Sequence, residues 1–158
     1  MKKYRLTEET IRVGNRTLYR VQALRDFGKV KEGETGGYIE SEKNLSQDGN
    51  AWVSGDARVC GDALVSGGAR VSGDALVCGD ADVKTTGNIC SMSGFGSEYR
   101  TTTAFRTKDG GVHISCGCFQ GNLEAFCQRV ESTHGNNLYG REYKKMIEML
   151  KIHFEVEP

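Results

Sequence analysis

Proline is almost missing from this chain: one occurs in 158 residues, against 21 glycines. A chain that turns often without proline turns on glycine, and here the glycines crowd into the middle third. That asymmetry fits a tight repeat with a turn in every unit and excludes a Gly/Pro linker. Charge of one sign is also missing, since 21 Lys and Arg offset 21 Asp and Glu. No global field draws the chain to nucleic acid or to an acidic membrane surface. No apolar run approaches the roughly 20 residues of a membrane helix. Met1-Lys2-Lys3 leads into polar sequence, not into the apolar core of a secretory signal. Six cysteines without such a signal read as reduced thiols, so a cytoplasmic location is expected. Histidine is scarce: His113, His134 and His153 all lie in the C-terminal third.

What is present is a period of six. From Ala51 the units run Ala51-Trp52-Val53-Ser54-Gly55-Asp56, then Ala57-Arg58-Val59-Cys60-Gly61-Asp62, and so on to Ala81-Asp82-Val83 and Ile89. A helix cannot use this register, because six residues do not track 3.6 per turn. A strand can: Ala and Val, two apart, face one way while the residue between them faces out. Ser or Cys, then Gly and Asp, turn the corner, with Gly free to take positive φ.

The Val-x-x-x-Ala-x pattern resembles the hexapeptide repeat of left-handed parallel β-helix proteins, best known among acyltransferases. In that family three hexapeptides make one triangular coil, so residues eighteen apart stack. The resemblance implies a mainly β chain: a short left-handed β-helix of about three coils, with an N-terminal β-hairpin and a C-terminal ββαα cap. Ile39 and Leu45 fall in the Ala register, and Phe95 in the Val register with Ser93 in the small slot. Segments 4–9 and 36–45, with the repeat, also resemble bacterial and phage proteins described as hexapeptide transferases or polymer-forming proteins.

The expected division is 1–38, a hairpin and loop; 39–97, the repeat; and 98–158, the cap. The hairpin turns at Gly14-Asn15. A second hairpin is expected over Arg100–Thr107 and Val112–Cys116. A short helix follows Asn122, with Leu123, Phe126, Cys127 and Val130 on its apolar face, and a longer one spans about Tyr139–His153.

Enzymes of the resembled class bring a His base to a cleft between coils, and the repeat carries none. The enzymatic reading is therefore disfavoured, with an acyltransferase kept as the alternative. Cys116-Gly117-Cys118 has too short a spacing and too few ligands for structural zinc, and reads as a tight turn. No cofactor or metal is expected. The favoured chemistry is anion capture. Gly94, Gly96 and Ser97 offer backbone N–H groups, Arg100 a fixed cation, and Tyr99 a stacking face or hydroxyl. Arg58 and Arg70, from a second subunit, complete the wall. Trimers are usual in the resembled fold, and outward Trp52, Leu64 and Leu76 are too apolar to leave in water without reason. The expectation is a non-catalytic, phage-encoded homotrimer sequestering a small anionic ligand, such as a nucleotide signal, at its subunit interfaces. A purely structural trimerisation module is the other alternative. Neither nucleic acid nor membrane is an expected partner.

Overall fold

The computed structural model describes residues 1–156. Strands β1 (Tyr4–Val13) and β2 (Arg16–Ala23) form the expected hairpin, turning at Gly14 with φ 60°. The antiparallel β3 (Thr35–Ile39) follows β2 and then pairs in parallel with the repeat. Six two-residue strands carry the repeat: β4 (Trp52–Val53), β5 (Arg58–Val59), β6 (Leu64–Val65), β7 (Arg70–Val71), β8 (Leu76–Val77) and β9 (Asp82–Val83). They stack at the expected eighteen-residue spacing, Val53 on Val71, Val59 on Val77 and Val65 on Val83. Every Ala and Val of the two inward positions from Ala51 to Val83 is buried. The inward alternation is therefore present as expected.

The expected β-helix of about three coils, with its hairpin and ββαα cap, is not the architecture found. Among the described residues, thirteen strands divide among four separate sheets: a mixed five-stranded sheet β1-β2-β3-β5-β8, two parallel pairs β4-β7 and β6-β9, and one four-stranded antiparallel sheet. No closed or solenoid-like sheet forms from them. Two reasons are visible. Each repeat strand is two residues long and finds a repeat partner on one side, while β5 and β8 are continued by the antiparallel hairpin through β3. The entry is also out of register. Ile39 pairs with Val59 and Leu45 with Val65, the Val register and not the expected Ala register.

The far end departs further. Segment 91–97, expected as an exit loop, is mostly strand: β10 (Ile89–Phe95) starts a meander continued by β11 (Arg100–Arg106), β12 (Val112–Cys116) and β13 (Phe119–Asn122). The cap is thus four strands and two helices. Phe95 is 43% exposed, not an inward repeat position. Helices α1 (Leu123–His134) and α2 (Leu138–His153) cover this sheet. Asn122 Oδ1 accepts from the Ala125 N–H at 2.8 Å, and Asn137 Oδ1 from the Gly140 N–H at 2.9 Å, satisfying first-turn donors. Neither helix is long and apolar enough to cross a membrane.

Both ends of the repeat are closed from within the chain. At the N-terminal end, buried Lys3 donates to the carbonyl of Ala51 at 2.8 Å. Trp52, expected at a three-fold interface, is instead buried beneath Phe27, whose ring centroid lies 5.3 Å away, and Tyr4. At the other end the Thr103 hydroxyl accepts from the Leu76 N–H at 3.1 Å, and Thr107 bridges Ala81. Unpaired strand edges are thereby covered.

Candidate functional site

The docking of the C-terminal sheet on β8 and β9 leaves a cleft of about 370 Å³, lined by Arg58, Asp74, Leu76, Arg100, Thr101, Ser115 and Gly117. Arg58 occupies the outward position between Ala57 and Val59, so strand alternation aims its side chain away from the core. One Arg58 Nη donates to the Asp74 carbonyl across 3.4 Å, tethering the guanidinium to the next turn of the repeat. Arg100 opens β11 and lies over Gly117, at the two-residue turn joining β12 and β13. Gly117 has φ 58°, which favours glycine, and a methyl there would stand 2.5 Å from Arg100 Nη1 and displace that side chain.

Neither guanidinium takes part in an ion pair among the described residues, whereas Arg16 pairs with Glu40 at 2.8 Å and Arg20 with Glu9. Two guanidinium groups outside any ion pair thus line one cleft together with the acidic residue Asp74, with an apolar wall at Leu76. Such a site can hold a phosphate by charge-assisted bonds and a neighbouring hydroxyl by the carboxylate.

The site residues expected from sequence are only partly brought together. Arg58 and Arg100 meet, within one chain and without a second subunit. Arg70 is exposed on β7, away from the cleft lining. Gly94, Gly96 and Ser97 are exposed or turned elsewhere: the Gly96 N–H donates to Glu142 Oε1 at 3.2 Å, so an acidic side chain already occupies this donor. Tyr99, with φ 55°, closes the β10–β11 turn and is 71% exposed outside the cleft. Leu76, expected at a subunit interface, instead lines this cleft; Asp74, Ser115 and Gly117 were not expected at the site.

Cys116 and Cys118 diverge across the tight turn. Cys116 is buried, accepting from the Thr102 hydroxyl at 3.2 Å, and Cys118 is exposed. Two of the corner aspartates of the repeat meet cations: Asp56 is 3.5 Å from Arg20 and Asp62 is 3.5 Å from Lys43.

A second cleft of about 400 Å³ adjoins the first, sharing Leu76, and holds Arg16, Cys60, Cys78, His113 and Gln120. Here a histidine does reach the repeat. His113 Nε2 is 2.9 Å from Gln120 Oε1, which also accepts from the Cys78 thiol at 3.1 Å.

No protein-family model matches the chain, and no curated protein matches it.

Proposed function

We propose that this protein is a non-catalytic binder of a small phosphorylated ligand, held between Arg58 and Arg100. The observation that carries this reading is the convergence of two unpaired guanidinium groups, from the repeat and from the C-terminal sheet, on one cleft. The ligand class follows from the lining. The two cations take a phosphate, Asp74 takes a ribose-like hydroxyl, and Leu76 takes apolar surface. A nucleotide carries all three features. In this reading the protein sequesters such a compound in the cytoplasm, as a nucleotide-binding sponge of the kind a phage encodes. Assembly as a homotrimer belongs to the proposal through family resemblance, although the cleft itself needs no second copy.

Calorimetry with inorganic phosphate, a panel of mono-, di- and cyclic nucleotides, and acyl-CoA tests it. A charge-assisted pair to phosphate contributes about 1.5–3 kcal/mol, so Arg100→Ala and Arg58→Ala each weaken binding by roughly ten- to a hundredfold. Arg70→Ala binds like the wild type. Binding of acyl-CoA alone, unaffected by Arg58→Ala and Arg100→Ala, moves the assignment to the acyltransferase alternative. Absence of heat with every compound leaves the structural module. Light scattering at micromolar concentration reads the subunit count, with three expected.

A further inference from the structure

Cys60 and Cys78 follow β5 and β8 directly, one position beyond the stacked pair Val59 and Val77. The Cys60 N–H donates to the Val77 carbonyl at 2.9 Å, so the parallel register continues to the two cysteines. Adjacent strands lie about 4.8 Å apart, within the roughly 4.4–6.8 Å between Cα atoms that a disulfide spans. Both cysteines line the second cleft, Cys60 as its buried floor and Cys78 half-exposed at its wall. Around the pair stand the Gln120 amide, the Ser115 hydroxyl 3.9 Å from the Cys78 sulfur, His113, and the Arg16–Glu40 ion pair. Elsewhere in the repeat the same corner position is Ser54, Ser66 or Ser72. Those serines are more exposed, whereas Cys60 is buried against Leu18 and Tyr38 with Cys78 packed beside it, so the stack places two thiols side by side at one edge of the cleft.

We propose that Cys60 and Cys78 form a thiol–disulfide exchange site that reacts with a low-molecular-weight disulfide entering this cleft. Cys78 attacks as the thiolate. One sulfur of the small disulfide bonds to Cys78 Sγ, the S–S bond breaks, and the other half leaves as a thiolate that takes up a proton. Cys60 then attacks Cys78 Sγ, its thiol proton passing to the departing second thiolate. The two protein thiols are oxidised to one disulfide, and the small disulfide is reduced to two thiols. The division of labour follows from position: the half-exposed sulfur meets the reagent and the buried one resolves it. The neighbouring Cys60 thiol also draws the Cys78 pKa down to about 7, while that of Cys60 is raised. A thiol poised near ambient pH is an efficient attacking group.

The test uses the full chain with oxidised glutathione, followed by alkylation and peptide mapping without reduction. Wild type yields a cross-link between the Cys60 and Cys78 peptides. Cys60→Ser accumulates the glutathione mixed disulfide on Cys78. Cys78→Ser leaves Cys60 unmodified, and exposed Cys118 reacts at the same rate in all three proteins. Serine fills this corner at three more exposed places, so thermal melts accompany the variants, and Cys60→Ala, which accumulates the same mixed disulfide, is the apolar control at the buried position. A stable mixed disulfide on Cys78 in wild type, or a Cys78 that reacts no faster than Cys118, overturns the proposal.

Discussion

The hydroxyl of Tyr4 donates to the carbonyl of Leu45 across 2.6 Å, with both residues fully buried. This bond ties the start of the chain to the first rung of the parallel stack, where Leu45 bridges Val65. It closes an end of the repeat that would otherwise present unpaired backbone. Tyr4→Phe keeps the ring against Trp52 and removes only the donor. The stranded carbonyl costs about 1–3 kcal/mol, read as a lower urea midpoint with an unchanged slope.

Val71 and Arg70 are neighbours on β7 with opposite surroundings, Val71 1% exposed and Arg70 open to solvent. Val71→Asp places an unpaired charge among buried methyl groups, so the chain loses more than about 4 kcal/mol and unfolds. Arg70→Ala stays within about 0.5 kcal/mol of wild type. Thermal melts that reverse this order would exchange the inside and the outside of the repeat.

The Ala/Val positions were legible in the sequence because burial there is written locally, every two residues. The two helices, and the Asn122 cap of the first, were legible for the same reason; the Asn137 cap of the second was not expected. The ends were not. Ile39 and Leu45 take the Val register because the longer turn through Gln47 to Asn50 shifts the first rung, and the length of one turn leaves no mark on hydrophobic pattern. Ser91-Met92-Ser93-Gly94 has no strand pattern of its own, yet Ser91 and Met92 pair with Thr103 and Thr102 across a meander. Trp52 looked like an interface residue because its cover, Tyr4 and Phe27, comes from distant sequence. Arg58 and Arg100 were each visible as outward cations. Their meeting in one cleft depends on how the C-terminal sheet docks, which no periodicity encodes.

Turn stacking separates two glycines that share a backbone conformation. Gly67 and Gly73 have φ of 62° and 64°. A methyl on Gly67 would lie 2.5 Å from the Lys84 carbonyl oxygen in the turn beneath, whereas one on Gly73 meets nothing within 4 Å. Gly73→Ala therefore loses only the left-handed strain, about 1–2 kcal/mol. Gly67→Ala loses that and must also push apart two backbone segments. Equal losses in urea unfolding would mean that the turns are not stacked.

Lys3 supplies a pH dependence with a definite sign. Its ammonium is fully buried, donates to the carbonyls of Ala51, Asp48 and Gly49, and lies 4.9 Å from the Phe27 ring centroid. Burial, then the charge of Arg25, lowers its pKa to about 8 from 10.5, against the opposing pull of Asp48. Between those two values the unfolded chain holds a proton on Lys3 that the folded chain has released. Folding stability attributable to Lys3 therefore rises with pH across this window, by at most about 1.4 kcal/mol per pH unit. Below pH 8 the folded protein carries the full cost of the buried charge. Tyr4 acts in the opposite direction at higher pH, since burial raises its pKa and the unfolded phenol ionises first. Lys3→Met keeps Tyr4, so the difference between the two proteins isolates the lysine. Urea unfolding below pH 8 and again between pH 8 and 10.5 shows wild type gaining on Lys3→Met as pH rises. Parallel curves would place the Lys3 ammonium in solvent and leave the Ala51 carbonyl without its donor.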